Sequence, residues 1–152
     1  MDSKRTITYG LGDVERKNNE GYQDPTEFEA LSNIKKEERV FRPLVYICSP
    51  YSGDPNGNTK KARDYCRFAV MEKNAIAFAP HLLLPQYLND EDPKERELAL
   101  FMDAIFLGKC HEVWVFGETI TEGMQREIDR AKRRRMTIRY FNENMKETTS
   151  CD

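Results

Sequence analysis

The sequence predicts one three-layer α/β domain built on a mainly parallel sheet of four or five strands, with an N-terminal helical leader in front of it. Three observations carry that prediction. From residue 43 onward, short runs rich in β-branched and aromatic residues alternate with stretches of helical periodicity, as βαβ units require. Capping signals such as Asp92-Pro93-Lys94-Glu95 mark where helices open after loops. The chain of 152 residues has length for one hydrophobic core but hardly for two.

PLVYICS (43–49) is the first strand. The Gly/Pro/Asn-rich stretch SGDPNGN (52–58) reads as a loop, and TKKARDYCRFAVMEK (59–73) as an amphipathic helix. In it Ala62, Tyr65, Cys66, Ala69 and Val70 recur at helical spacing. AIAFAP (75–80) is the second strand. The helix capped by Asp92 runs to about Gly108, and its segment ELALFMDAIFLG (97–108) is so continuously apolar that it predicts burial on most sides. EVWVFG (112–117) is the third strand. ITEGMQREIDRAKRR (120–134) is a helix capped by Thr121, with Met124, Ile128 and Ala131 as its buried stripe. The run KRRR at 132–135 complements the partial negative charge of a helix C-terminus. MTIRYF (136–141) is the fourth strand. Strands and helices in this order give a Rossmann-like (flavodoxin-like) domain over residues 43–141.

Residues 1–42 are mostly polar and hold one helical signal, Asp24-Pro25-Thr26-Glu27 followed by Phe28, Leu31 and Ile34. That leader either docks on the domain or on a second subunit, or stays partly disordered. Residues 142–152, NENMKETTSCD, are too polar to pack and read as a flexible tail. A net charge of -2 and a pI of about 5.8 provide no global field for nucleic acid, so no specific nucleic-acid role is expected. No signal peptide or membrane-length apolar stretch is present, which places the protein in the cytoplasm and off the membrane. Cys48, Cys66, Cys110 and Cys151 lack metal or disulfide spacing and read as reduced thiols. With His81 and His111 the only histidines, no metal site is expected.

In an open parallel sheet, ligands collect beyond the carboxyl ends of the strands where the strand order reverses. That rule selects Ser49, Pro50, Tyr51, Ser52, Gly53 and Asp54 after the first strand, Asn58 close behind them, and Pro80 and His81 after the second. After the third strand it selects Gly117, Thr121, Gly123 and Met124. The positive end of the last helix favours an anionic or strongly polar ligand such as a nucleotide phosphate. His111 falls at the opposite end of its strand and drops out.

Two acidic residues are oddly placed. Glu127 borders the apolar stripe of its helix, and Asp103 is the sole charge within 98–108. A carboxylate beside a buried face costs several kcal/mol unless something satisfies it. Each is therefore either a paired structural acid or a functional one, and together they resemble the carboxylate pairs that glycosidic chemistry uses.

The string Tyr46-Ile47-Cys48-Ser49-Pro50-Tyr51, then Asp103, EVWVFG and Thr121-Glu122-Gly123-Met124-Gln125-Arg126-Glu127, resembles the nucleoside 2-deoxyribosyltransferase and 2'-deoxynucleoside 5'-monophosphate N-hydrolase superfamily over residues 43 to about 141. Among its members the likeness is nearest to small uncharacterised proteins common in bacteriophages and Gram-positive genomes. The resemblance implies that Glu127 is a nucleophile forming a glycosyl-enzyme and that Asp103 assists departure of the base. It further implies that Tyr46 bonds the nucleophile and that Thr121 and Gly123 meet the 5' end of the substrate. The loop after the first strand holds no arginine, so a 5'-phosphate would have to use Lys60, Lys61 or Arg63.

The expected activity is cleavage or transfer at an N-glycosidic bond of a nucleoside or nucleotide, without a cofactor and from a homodimer. The competing reading is a module that binds a nucleotide or nucleotide-derived signal without turning it over.

Overall fold

The computed structural model describes residues 41–149. The leader at 1–40 and the last three positions, Cys151 included, lie outside the described residues, so the expected leader helix does too. In chain order the elements are β1 (Leu44–Cys48), α1 (Pro55–Met71), β2 (Ile76–Phe78), the short α2 (Pro80–Leu83) with a 3-10 turn at Leu84–Gln86, α3 (Pro93–Lys109), β3 (Glu112–Phe116), α4 (Glu122–Arg133), β4 (Thr137–Phe141) and β5 (Glu147–Thr148). The sheet has the order β2-β1-β3-β4-β5. Its first four strands are parallel, and β5 runs antiparallel to β4.

Alternation along the central strands divides the core into two layers. Val45, Ile47, Trp114 and Phe116 face one side, where Tyr65, Phe68 and Ala69 of α1 cover them. Tyr46, Cys48, Val113 and Val115 face the other, against Leu107 of α3 and Met124, Ile128 and Ala131 of α4. Residues 42–149 thus form the three-layer α/β fold expected from the sequence.

Four expectations change. The first concerns the start of α1, which lies at Pro55 rather than residue 59. Asp54 caps it by accepting from Gly57 N at 3.2 Å, with proline in the first turn, the device also used at Asp92. Phe68 takes the core position expected of Val70, which is exposed.

The apolar α3 is not buried on most sides. Leu107 is its fully buried residue, while Leu98, Leu100, Phe101 and Ile105 are exposed, Phe101 to 63%. A helix in an outer layer presents only one stripe to the sheet, whatever its remaining composition.

Residues 142–149 are not a loose tail. The Asn142 side chain accepts from Asn144 N and Lys146 N to close a turn. β5 then pairs with β4, and Arg139 forms a two-pronged ion pair with Glu147 at 2.7 and 2.8 Å while lying over the Trp114 ring.

The other charged and histidine assignments follow the expected chemistry. Arg130, Lys132 and Arg133 occupy the last turn of α4. His111 stands at the amino end of β3, where its Nδ1 accepts from Leu44 N at 2.9 Å. No helix among the described residues is long and apolar enough to cross a membrane.

Candidate active site

β2 lies on one side of β1 and β3 on the other, so the strand order reverses at β1. A pocket of about 270 Å³ opens there, beyond the carboxyl ends of the strands. It gathers side chains from the loop after β1, from α2, from α3 and from the first turns of α4.

α4 begins at that rim because Thr121 Oγ1 accepts from Met124 N at 3.2 Å, capping the helix. Met124, Ile128 and Ala131 then point at the sheet, and the next residue round the wheel, Glu127, is drawn inward with them. Its residue surface stays partly open to the pocket while its carboxylate sits deep. Tyr46, fully buried on β1, donates its hydroxyl to Glu127 Oε1 at 2.8 Å. Burial raises the Glu127 pKa, and the nearby Cys48 thiol, the hydrogen bond from Tyr46 and the Arg130 charge work against that rise. Burial, followed by the Glu127 charge, holds the Tyr46 hydroxyl well above its ordinary range, so it remains a donor.

Asp103 reaches the same pocket from α3. Its Oδ1 is buried and has no hydrogen-bond partner among the described residues. Its pKa is pushed up to about 7, first by burial and then by the Glu127 charge, with Arg130 pulling the other way. Neither acid forms an ion pair within 4 Å among the described residues, so neither is the closed structural pair that sequence reasoning allowed. The arrangement puts the deep Glu127 acid in one pocket with a second acid, Asp103, whose pKa of about 7 leaves it poised between its two protonation states at neutral pH.

The rest of the wall is polar. Ser49 Oγ lies 3.1 Å from His81 Nε2, and the His81 ring stands 5.9 Å from that of Tyr51. Burial lowers the His81 pKa to about 4, so it is neutral and offers one donor and one acceptor. Ser52, Pro80, Thr121, Gly123 and Met124 complete the predicted residues in this pocket. A side chain at Gly123 would touch only Thr121 Oγ1 at 3.9 Å, so the glycine leaves space on the pocket side.

Four predicted residues, Pro50, Gly53, Asn58 and Gly117, lie outside this pocket. Pro50, Asn58 and Gly117 line a separate hollow of about 70 Å³. Successive residues of an extended chain point to opposite sides, which parts Pro50 from Ser49. The Asn58 amide donates to Tyr51 O and Ser52 O and so shapes the loop from behind. Gly117, at φ +103°, turns the chain out of β3. Gly53, at φ +98°, borders an adjoining open groove. Among the expected phosphate-binding cations, Lys61 meets Glu143 at 3.6 Å beside the second hollow.

The cations at the main pocket are instead Arg96 and Arg126, neither singled out from the sequence. Arg96 was findable, since it precedes Asp103 by two helical turns on one face of α3.

The topology and the acid pair define an α/β domain with a carboxylate-bearing pocket at the switch point of its sheet. The chain belongs to the family described as "Domain of unknown function (DUF7768)", which matches residues 43–141. Among solved structures it is similar to a 2-deoxyribosyltransferase from Bacillus psychrosaccharolyticus, with a TM-score of 0.54 and 12% identity, covering 65% of this chain and 72% of that one. At that identity the likeness is one of fold. No curated protein matches the chain.

Proposed function

We propose that this protein cleaves or transfers at the N-glycosidic bond of a (deoxy)nucleoside or nucleotide. Glu127 attacks the anomeric carbon, and Asp103, protonated, donates to the departing base. The carbon–nitrogen bond breaks with its electron pair going to the base, the Asp103 proton neutralises that base, and a bond forms between Glu127 and the sugar. Water or a second base then attacks the same carbon, gives its proton to the Asp103 carboxylate and frees Glu127. No step calls for a cofactor.

One observation carries the reading: Asp103 Oδ1 is buried, unpartnered and in one pocket with the deep Glu127 carboxylate. A buried acid without a partner is costly in a resting fold, and a substrate hydrogen bond would satisfy it. The similarity of fold to a 2-deoxyribosyltransferase supports the same chemistry. Release of free base from a panel of 2'-deoxynucleosides and their 5'-monophosphates, with Glu127→Gln as control, tests it. If ligands bind to wild type and to Glu127→Gln alike and none is turned over, the protein is a binding module instead.

The expected homodimer belongs to the same proposal. Leu98, Phe101 and Ile105 form an exposed apolar stripe on α3, the helix that also brings Asp103 and Leu100 to the pocket. A second copy on that stripe would cover apolar surface and border the site.

A further inference from the structure

The charges on the wall of the pocket do not balance. Asp90, Asp103, Glu122 and Glu127 line it against Arg96 and Arg126. The open groove that continues past Tyr51, Ser52 and Asp90 adds Glu91 and Glu95 and no cation. One of the two arginines is already answered, since Arg126 Nη2 lies 3.7 Å from Glu122 Oε1 across one turn of α4. The positive end of α4 is answered as well. Glu122 stands in its first turn, Thr121 Oγ1 accepts the Met124 N–H, and the Thr121 carbonyl accepts the Gln125 N–H. Of the cations that the sequence offered for a 5'-phosphate, Lys61 meets Glu143 beside the other hollow, and neither Lys60 nor Arg63 lines the main pocket.

We infer that Glu122 is a specificity-determining residue: by occupying Arg126 and the amino end of α4 it turns away phosphorylated forms, so that the substrate is a nucleoside with a free 5'-hydroxyl. The inference rests on the proposed role of this pocket and narrows its substrate from nucleoside or nucleotide to nucleoside. A hydroxyl suits the N–H groups of Glu122 and Gly123 that remain in the first turn, because it accepts from an N–H and donates to a carboxylate without bringing charge. A phosphate monoester brings about two negative charges at neutral pH. It would meet the pocket's acids with Arg96 as the one arginine free of an ion pair among the described residues. It would also work against the chemistry. Glu127 must be ionised to attack, and an added anion in the same pocket opposes that ionisation as burial already does. The Glu122 side chain is 90% exposed, so its effect is screened by water and salt and acts together with that of Asp90.

The test measures Kd by calorimetry and kcat/KM by base release for each 2'-deoxynucleoside and its own 5'-monophosphate on the full chain, and takes the ratio within each pair. Wild type is expected to favour the nucleoside about tenfold or more, a preference that shrinks as salt rises toward about 0.5 M. Glu122→Gln, which releases Arg126, should move the ratio toward the monophosphate by about threefold, and Glu122→Lys by about tenfold. A merely structural role for the Glu122–Arg126 pair would change both members of a pair alike and leave the ratio where it was. A wild type that favours the monophosphate, or a ratio unmoved in both variants, overturns the inference. Base release from nucleosides and monophosphates alike sinks the role of Glu122 and leaves the glycosidic chemistry standing. Nucleoside-selective binding that relaxes in both variants, with no base released, keeps the role of Glu122 and removes the chemistry. Binding of neither member of any pair overturns both.

Discussion

The Tyr46 hydroxyl and the Glu127 carboxylate meet at 2.8 Å across the join between the second core layer and the pocket. A strand residue in the middle of the sheet thereby holds an acid from the first half of a helix that begins far along the chain. Tyr46→Phe removes one donor from a buried charge while keeping the ring. The expected outcome is a rise in the Glu127 pKa, a loss of about tenfold in kcat/KM on the acid side, and a stability loss of about 1–3 kcal/mol. Rate profiles against pH and denaturant melts check both.

The two acids give activity a bell-shaped dependence on pH. Glu127 must be ionised, and burial raises its pKa, so the acid limb lies above the ordinary glutamate range. Asp103 must be protonated, and with its pKa near 7 the alkaline limb falls there. In Asp103→Asn the alkaline limb disappears along with about 10²–10⁴ of the rate. Initial rates of base release from pH 4.5 to 9 read out both limbs.

Stability carries a linked signature. The folded-state pKa of Asp103 lies above its unfolded value, so the folded protein holds the proton more tightly. That contribution is fully present below the unfolded value of about 3.8 and is lost as pH rises through about 7. Asp103→Asn, with no charge to bury, should therefore show a flatter melting temperature between pH 4 and 8 and exceed wild type at the upper end. Calorimetry across that range checks it.

Arg139 and Glu147 join β4 to the tail strand, with both groups partly exposed. Solvent screening limits such a pair to about 1 kcal/mol or less, even with two-pronged geometry. Glu147→Ala should free residues 146–149 to hydrogen exchange while leaving the melting temperature within a few degrees of wild type.

Phe101→Asp places a charge in the middle of the exposed α3 stripe. If a second copy covers that stripe, light scattering should show wild type at twice the monomer mass and the variant at the monomer mass. A monomeric wild type would remove the dimer from the account.

Much of this was legible in the sequence because local rules agreed with the fold. The capped helix at Thr121, the period-two strands and the switch-point rule together bring Glu127, Asp103, Ser49, His81 and Thr121 to one pocket. The misses have physical causes. Composition says that α3 is apolar but not how much of it the sheet can cover, so its exposed face was read as core. The tail was read as loose because its order comes from the Asn142 turn and the ion pair of Arg139 with Glu147, neither visible as periodicity. Pro50, Asn58 and Gly117 were grouped with the site by their place in the chain, although side-chain direction sends them to another hollow.

The central claim is that Glu127 bonds covalently to the sugar. Incubation with a 2'-fluoro-2'-deoxyarabinosyl nucleoside, whose fluorine slows release of the intermediate, followed by peptide mass spectrometry, tests it most directly. The account predicts a fluorosugar adduct on the peptide containing Glu127 and none in Glu127→Gln. Base release by wild type with no adduct at that residue, and an undiminished rate in Glu127→Gln, would contradict it.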